Sequence, residues 1–107
     1  MKFKIDKKRL EEISEKVFNT YYDIDNISAA NLDRYITYFT DGDIRLQVRT
    51  HNDRKYLGYI KQDRDQILSM LPVTNYMFDK LIQKWFSKKY NISIDSVLKP
   101  LWQSRRD

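Results

Sequence analysis

Trp85-Phe-Ser-Lys-Lys-Tyr-Asn-Ile-Ser-Ile-Asp-Ser-Val-Leu-Lys-Pro-Leu-Trp-Gln-Ser104 is the stretch on which the reading of the fold turns. Phe86 and Tyr90 are apolar near the end of a helix, and Ser87 is small where a second helix would approach it. Asn91 falls where the backbone must take a positive φ, a conformation that costs glycine least and asparagine next. Ile92 would plug the turn into the core, Ser93 is a hydroxyl at an N-cap position, and Val97 would point back at the preceding helix. The spacing predicts two helices crossing about the turn, the second starting near Ile94. Pro100 lies seven residues past Ser93, where a helix interior loses a hydrogen bond and meets a ring clash. The second helix therefore ends near Lys99, or kinks and resumes through Leu101 and Trp102.

Two helical segments precede this stretch. One runs from an Asp63 cap, with Gln66 in the capping-box position, through Ile67, Leu68 and Leu71 to a stop at Pro72. The next begins at Thr74 or Asn75 and buries Phe78, Leu81, Ile82 and Trp85, leaving Lys80, Lys84 and Lys88 as a four-residue ladder toward water or phosphate. Lys88 also sits in the last turn, where a cation suits the negative end of the helix dipole. With these segments, residues 85–104 resemble the helix-turn-helix motif, and residues 63–104 a tri-helical domain of that type. The resemblance implies contact with DNA, and it makes Asp95, Ser96, Lys99 and Gln103 of the second motif helix candidate base or backbone contacts.

Upstream of the helical part the period changes. Ile44, Leu46 and Val48 alternate with Arg45, Gln47 and Arg49, then come a polar His51-Asn52-Asp53-Arg54 turn and a second run to Lys61, which predicts a β-hairpin over 44–61. A loop of two residues (Asn52, Asp53) or four gives the same pairing: Val48 opposite Leu57, Leu46 opposite Tyr59, Arg49 opposite Tyr56. One face is apolar. The other collects Arg45, Gln47, Arg49, Tyr56, Gly58 and, at the tip, His51 and Arg54, which can follow a phosphate backbone or stack on a base; as the wet side of a two-layer sheet it needs no ligand at all.

Residues 5–40 read as two helices. Asp6 can cap the first, where Leu10, Ile13, Val17, Phe18 and Tyr21 recur at helical spacing and Glu11, Glu12 and Glu15 take the other side. The second starts near Ser28, buries Leu32, Tyr35, Ile36 and Phe39, and stops at Asp41-Gly42. Asp23-Ile-Asp-Asn26 has the start of a calcium loop without its glycine or distal glutamate, so these are read as loop and cap residues.

Composition bounds the rest. A chain of 107 residues, 41% hydrophobic and 33% charged, is sized for a single domain with one core (1–107). The N-terminus lacks the apolar stretch of a signal peptide and no run approaches a membrane span, so a cytoplasmic protein, or a nuclear one in a eukaryote, is expected. Without cysteine there are no disulfides or thiolate sites. His51 is the only histidine, at a hairpin tip with no relay partner nearby, and Asp41-Gly42-Asp43 reads as a turn sooner than as two-metal chemistry. No enzyme, cofactor or metal is expected. The net charge of +5 divides unevenly: residues 1–43 hold seven Lys or Arg against nine Asp or Glu (−2), and residues 44–107 hold thirteen against six (+7).

The expected molecule is thus α+β, with two N-terminal helices, a β-hairpin and three C-terminal helices of helix-turn-helix type. It would bind nucleic acid, DNA ahead of RNA, as a regulator of transcription or replication, and a homodimer through the first two helices would suit such a role. Phosphate contacts fall to Arg45, Arg49, Arg54, Lys80, Lys84, Lys88, Lys99, Arg105 and Arg106, and sequence reading to Ser96, Lys99 and Gln103. The alternative is a small adaptor or inhibitor docking on a polymerase or another protein of that machinery. It would use aromatic anchors drawn from Tyr22, Tyr38, Tyr56, Tyr59, Tyr76 and Trp102.

Overall fold

The computed structural model describes residues 6–32 and 34–97. Its elements are α1 (Lys7–Tyr21), β1 (Ser28–Leu32), β2 (Tyr35–Thr40), β3 (Asp43–His51), β4 (Arg54–Tyr59), α2 (Lys61–Leu68), α3 (Asn75–Tyr90) and β5 (Ser96–Val97). The five strands form one sheet in the order β1-β2-β3-β4-β5, antiparallel except that β5 runs parallel to β4. Two expected helices are absent among these residues, and both corrections have a local cause.

The first concerns residues 28–39, which form a hairpin and not a helix. Leu32, Tyr35, Ile36 and Phe39 do recur at helical spacing, yet Tyr35-Ile-Thr-Tyr-Phe-Thr40 is an unbroken run of β-branched and aromatic residues, which lose side-chain freedom in a helix and fit a pleated surface. Pairing with β3 decides the matter. Gly42 therefore serves a strand turn: Asp41 (φ 54°) and Gly42 (φ 82°) both take positive φ, as a two-residue type I′ turn requires. The β3–β4 turn repeats the device with Asn52 (φ 50°) and Asp53 (φ 62°). It also keeps the register expected from sequence, with Val48 opposite Leu57, Leu46 opposite Tyr59 and Arg49 opposite Tyr56.

The second correction removes the helix-turn-helix. Asn91 does leave α3 in the left-handed conformation (φ 54°, ψ 43°), but an extended segment follows it. Ile94 enters the core, Asp95 bonds the backbone of Lys55 in both directions (N–H to O 2.8 Å; carboxylate from N–H 2.7 Å), and Gln83 donates to the carbonyl of Ile94 at 2.8 Å. Ile92 and Ile94, two residues apart, both pack on the core, a spacing that suits a non-helical segment leading into β5 better than a helix. Lys99, Pro100, Trp102, Gln103, Arg105 and Arg106 lie outside the described residues. Asn91→Ala is expected to lower stability by about 1 kcal/mol, since alanine has no local bond to offset the left-handed turn, while Asn91→Gly should be neutral or stabilising. Urea midpoints of the two variants check this, and equal midpoints would refute it.

The core lies between the sheet and the helices. Phe18 of α1 meets Phe78 and Trp85 of α3 with ring centroids 5.7 and 5.2 Å apart, and Trp85 donates its indole N–H to Asn19 at 2.7 Å. On the sheet side, Tyr38 packs on Phe86 and Tyr59 on Phe78, over Leu46, Val48 and Leu57. Leu10, Ser14 and Phe18 form the buried stripe of α1, and α3 buries Phe78, Ile82, Trp85 and Phe86 behind a Thr74 cap that accepts from the N–H of Met77. No helix among the described residues is long and apolar enough to cross a membrane.

Candidate nucleic-acid interface

One face of the sheet carries the helices; the alternate residues point to the other, on which no described element packs. A cross-strand row runs over that face: Tyr35 of β2 is paired with Arg49 of β3, Arg49 with Tyr56 of β4, and Tyr56 with Ser96 of β5. The next row holds Thr37, Gln47 and Gly58. A hydrogen-bonded chain links the rows: Gln47 Nε2 donates to Thr37 Oγ1 at 3.0 Å, and Arg49 Nε donates to Gln47 Oε1 at 2.9 Å. The Arg49 guanidinium lies 5.4 Å from the ring centre of Tyr35, within cation–π range. Its terminal nitrogens make no hydrogen bond among the described residues.

A shallow depression of about 350 Å³ opens here, lined by Arg34, Tyr35, Arg49, Thr50, His51 and Tyr56. The lining has two arginines, a histidine and no carboxylate. Arg54, opposite His51 in the register, adds a cation at the hairpin tip, where Asp53 in the turn is the neighbouring acid. The bond from Thr50 N–H to the carbonyl of Arg34 (3.1 Å) fastens the β1–β2 turn to β3, so Arg34 is held beside the row.

The structure divides the residues expected to meet phosphate. Arg49 and Arg54 stand at this end of the open face, and Ser96 lies in the same row. Arg45 does not join them. β3 has one extra residue there, Tyr38 pairing with Leu46 and Phe39 with Ile44, and this bulge turns Arg45 to the helix side. Arg45 Nε bonds the fully buried Asp63 carboxylate at 3.4 Å, and Nη2 donates to the carbonyl of Tyr21 at 3.1 Å, with the Tyr21 and Tyr22 rings each 5.2 Å away. Asp63 is correspondingly no helix cap: α2 starts two residues earlier, and Gln66 accepts from the Tyr21 hydroxyl, not from a cap backbone.

The lysine ladder of α3 is on the helix side of the molecule. Lys84 pairs with Glu11 at 2.7 Å and Lys88 with Glu15 at 3.1 Å, forming a seam between α3 and α1, and Lys80 lies 5.5 Å from the Tyr76 ring. The bond from Lys84 holds the Glu11 carboxyl below the usual carboxylate range. These cations already face carboxylates, and the sheet lies between them and Arg49.

Sequence reasoning missed Tyr35 and Arg34, having placed the first on the buried stripe of a helix. The available signal was the run Tyr35–Thr40, whose residue types favour a strand over a helix. Of the proposed aromatic anchors, Tyr22, Tyr38 and Tyr59 are core residues, Tyr56 belongs to the open row, Tyr76 is exposed, and Trp102 is outside the described residues. No group of three or more His, Asp or Glu among the described residues could hold a metal ion. No family model, curated protein or solved structure matches the chain.

Proposed function

We propose that this protein binds nucleic acid through the open face of its sheet, at the end marked by Arg34, Arg49 and Arg54. The observation that supports this reading is the Tyr35–Arg49–Tyr56 row, which places a fixed arginine between two aromatic rings in a depression without acids. Phosphates supply affinity to such a surface through counterion release, and planar groups supply stacking. The adaptor reading loses three of its anchors to the core. It keeps the exposed Met70, Tyr76 and Met77 around the α2–α3 junction, with Lys80 beside the Tyr76 ring.

The test is fluorescence anisotropy with labelled oligonucleotides from about 50 to 200 mM salt, a range over which phosphate contacts lose affinity steeply. Binding is expected to weaken as salt rises. Arg34→Glu and Arg54→Glu should each lower affinity roughly tenfold and reduce the salt slope by about one, whereas Lys84→Gln and Lys88→Gln should leave both unchanged. Binding that ignores salt, or that follows the α3 lysines and not the arginines, would reject the assignment.

A further inference from the structure

We infer that the ligand of this face is single-stranded nucleic acid, its bases laid on Tyr35 and Tyr56 with Arg49 held between them; this rests on the nucleic-acid reading above. The argument starts from shape. A duplex hides the faces of its bases and shows their edges only in grooves, which admit a helix or a two-stranded ribbon. The open face offers neither: its row crosses β2, β3, β4 and β5 in the body of the sheet. Aromatic side chains there can meet only bases that are already unstacked.

Spacing supports the same class. Tyr35 and Tyr56 are separated by two inter-strand steps of roughly 4.8 Å, so the rings sit on the order of 10 Å apart. That is far wider than the stacking distance within a helix, and it suits bases splayed along an extended backbone. Arg49 is set for this arrangement before any ligand arrives. Gln47, itself bonded to Thr37, takes its Nε–H, and Tyr35 supports the guanidinium plane, leaving the terminal N–H groups for a phosphate or a base edge. Neither tyrosine belongs to the hydrophobic core, so the fold does not explain why two rings flank that arginine.

The experiment titrates the protein with labelled single strands of about 12 nucleotides, oligo-dT and oligo-U, and with a duplex of the same length. Single strands of one or both sugars are expected to bind at least tenfold more tightly than the duplex. Tyr35→Leu and Tyr56→Leu should each weaken single-strand binding roughly five- to hundredfold, because leucine keeps apolar bulk and lacks a π-face, and barely touch duplex binding. Tyr35→Phe and Tyr56→Phe should bind nearly as wild type, and circular dichroism with urea midpoints verifies that each variant is folded. If duplex binds as well as single strand, or the folded leucine variants stay within twofold while Arg34→Glu and Arg54→Glu lose affinity, the stacking platform is overturned and the nucleic-acid reading stands. If no oligonucleotide of either form binds, both fall together.

Discussion

Asp63→Ala is expected to cost about 3–5 kcal/mol of folding stability, the range for stranding one member of a buried ion pair. The Asp63 side chain is fully buried, with Arg45 Nε on one oxygen and, 2.9 Å from the other, the Tyr21 hydroxyl, whose single proton it shares with Gln66 Oε1. Removing the carboxylate leaves a buried arginine, only 8% exposed, that cannot shed its charge, since arginine stays protonated at any ordinary pH. Two tyrosine faces and one backbone carbonyl would remain as its company. Removing both charges together should be far milder. An Arg45→Met, Asp63→Leu double variant is expected closer to wild type than either single change, because the desolvation of both ions is relieved at once. Urea unfolding of wild type, Arg45→Met, Asp63→Leu and the double variant measures the coupling; a loss under about 1 kcal/mol for Asp63→Ala would show that the pair carries little of the fold.

Raising the pH above 10 is expected to unfold the protein cooperatively. Burial pushes the hydroxyls of Tyr22, Tyr38, Tyr59 and Tyr90 above the ordinary tyrosine value of 10.0, Tyr90 to about 12. Tyr59 is raised further by its bond to Asp79 Oδ1 at 2.8 Å, which only the neutral hydroxyl can donate. The Tyr22 hydroxyl has no hydrogen-bond partner among the described residues. The sign follows from linkage. The folded state holds these protons more tightly than the unfolded chain, so their contribution is complete below pH 10 and is lost as pH rises through the folded values. Each unit of displacement on a fully buried group is worth about 1.4 kcal/mol, and Tyr22 and Tyr59 are both essentially inaccessible. Losing these contributions above pH 10 draws on the 5–15 kcal/mol typical of a domain. Tyrosinate absorbance followed with far-ultraviolet circular dichroism should show a second group of tyrosines ionising only as structure is lost. Ionisation of all eight in one phase, with the sheet intact, would contradict the burial argument.

What could be read in the letters was whatever depended on near neighbours. The stripe of α1, the register of β3 on β4, the start and buried side of α3, and the left-handed Asn91 all follow from spacing within one or two elements. The failures share a different origin. Residues 28–39 fit a helical stripe as well as two strands, and the choice is made by β3, whose Leu46 and Val48 complete the apolar face with Tyr38 and Ile36. The segment after Asn91 is claimed by a free edge of β4 that no local pattern reveals. A single inserted residue moved Arg45 from the open face to the interior, and the lysine ladder met glutamates 73 positions away. Half of the candidate site was visible as alternation in β3 and β4. Tyr35 and Arg34 became part of it only once β2 was a strand.

The seam between α1 and α3 has a consequence for how the chain comes to order. Hairpins with two-residue turns can close within about 1–10 μs of the residues being available, because each strand finds its neighbour next along the chain. The first helix has no such convenience. Its partners Phe78, Lys84, Trp85 and Lys88 are among the last described residues to leave a ribosome, and closing so long a loop is an entropic cost met late. Between the completion of β4 at Tyr59 and the arrival of α3 at Asn75, the emerging sheet has its apolar side unroofed, and that interval is where exposure to aggregation is expected to be greatest.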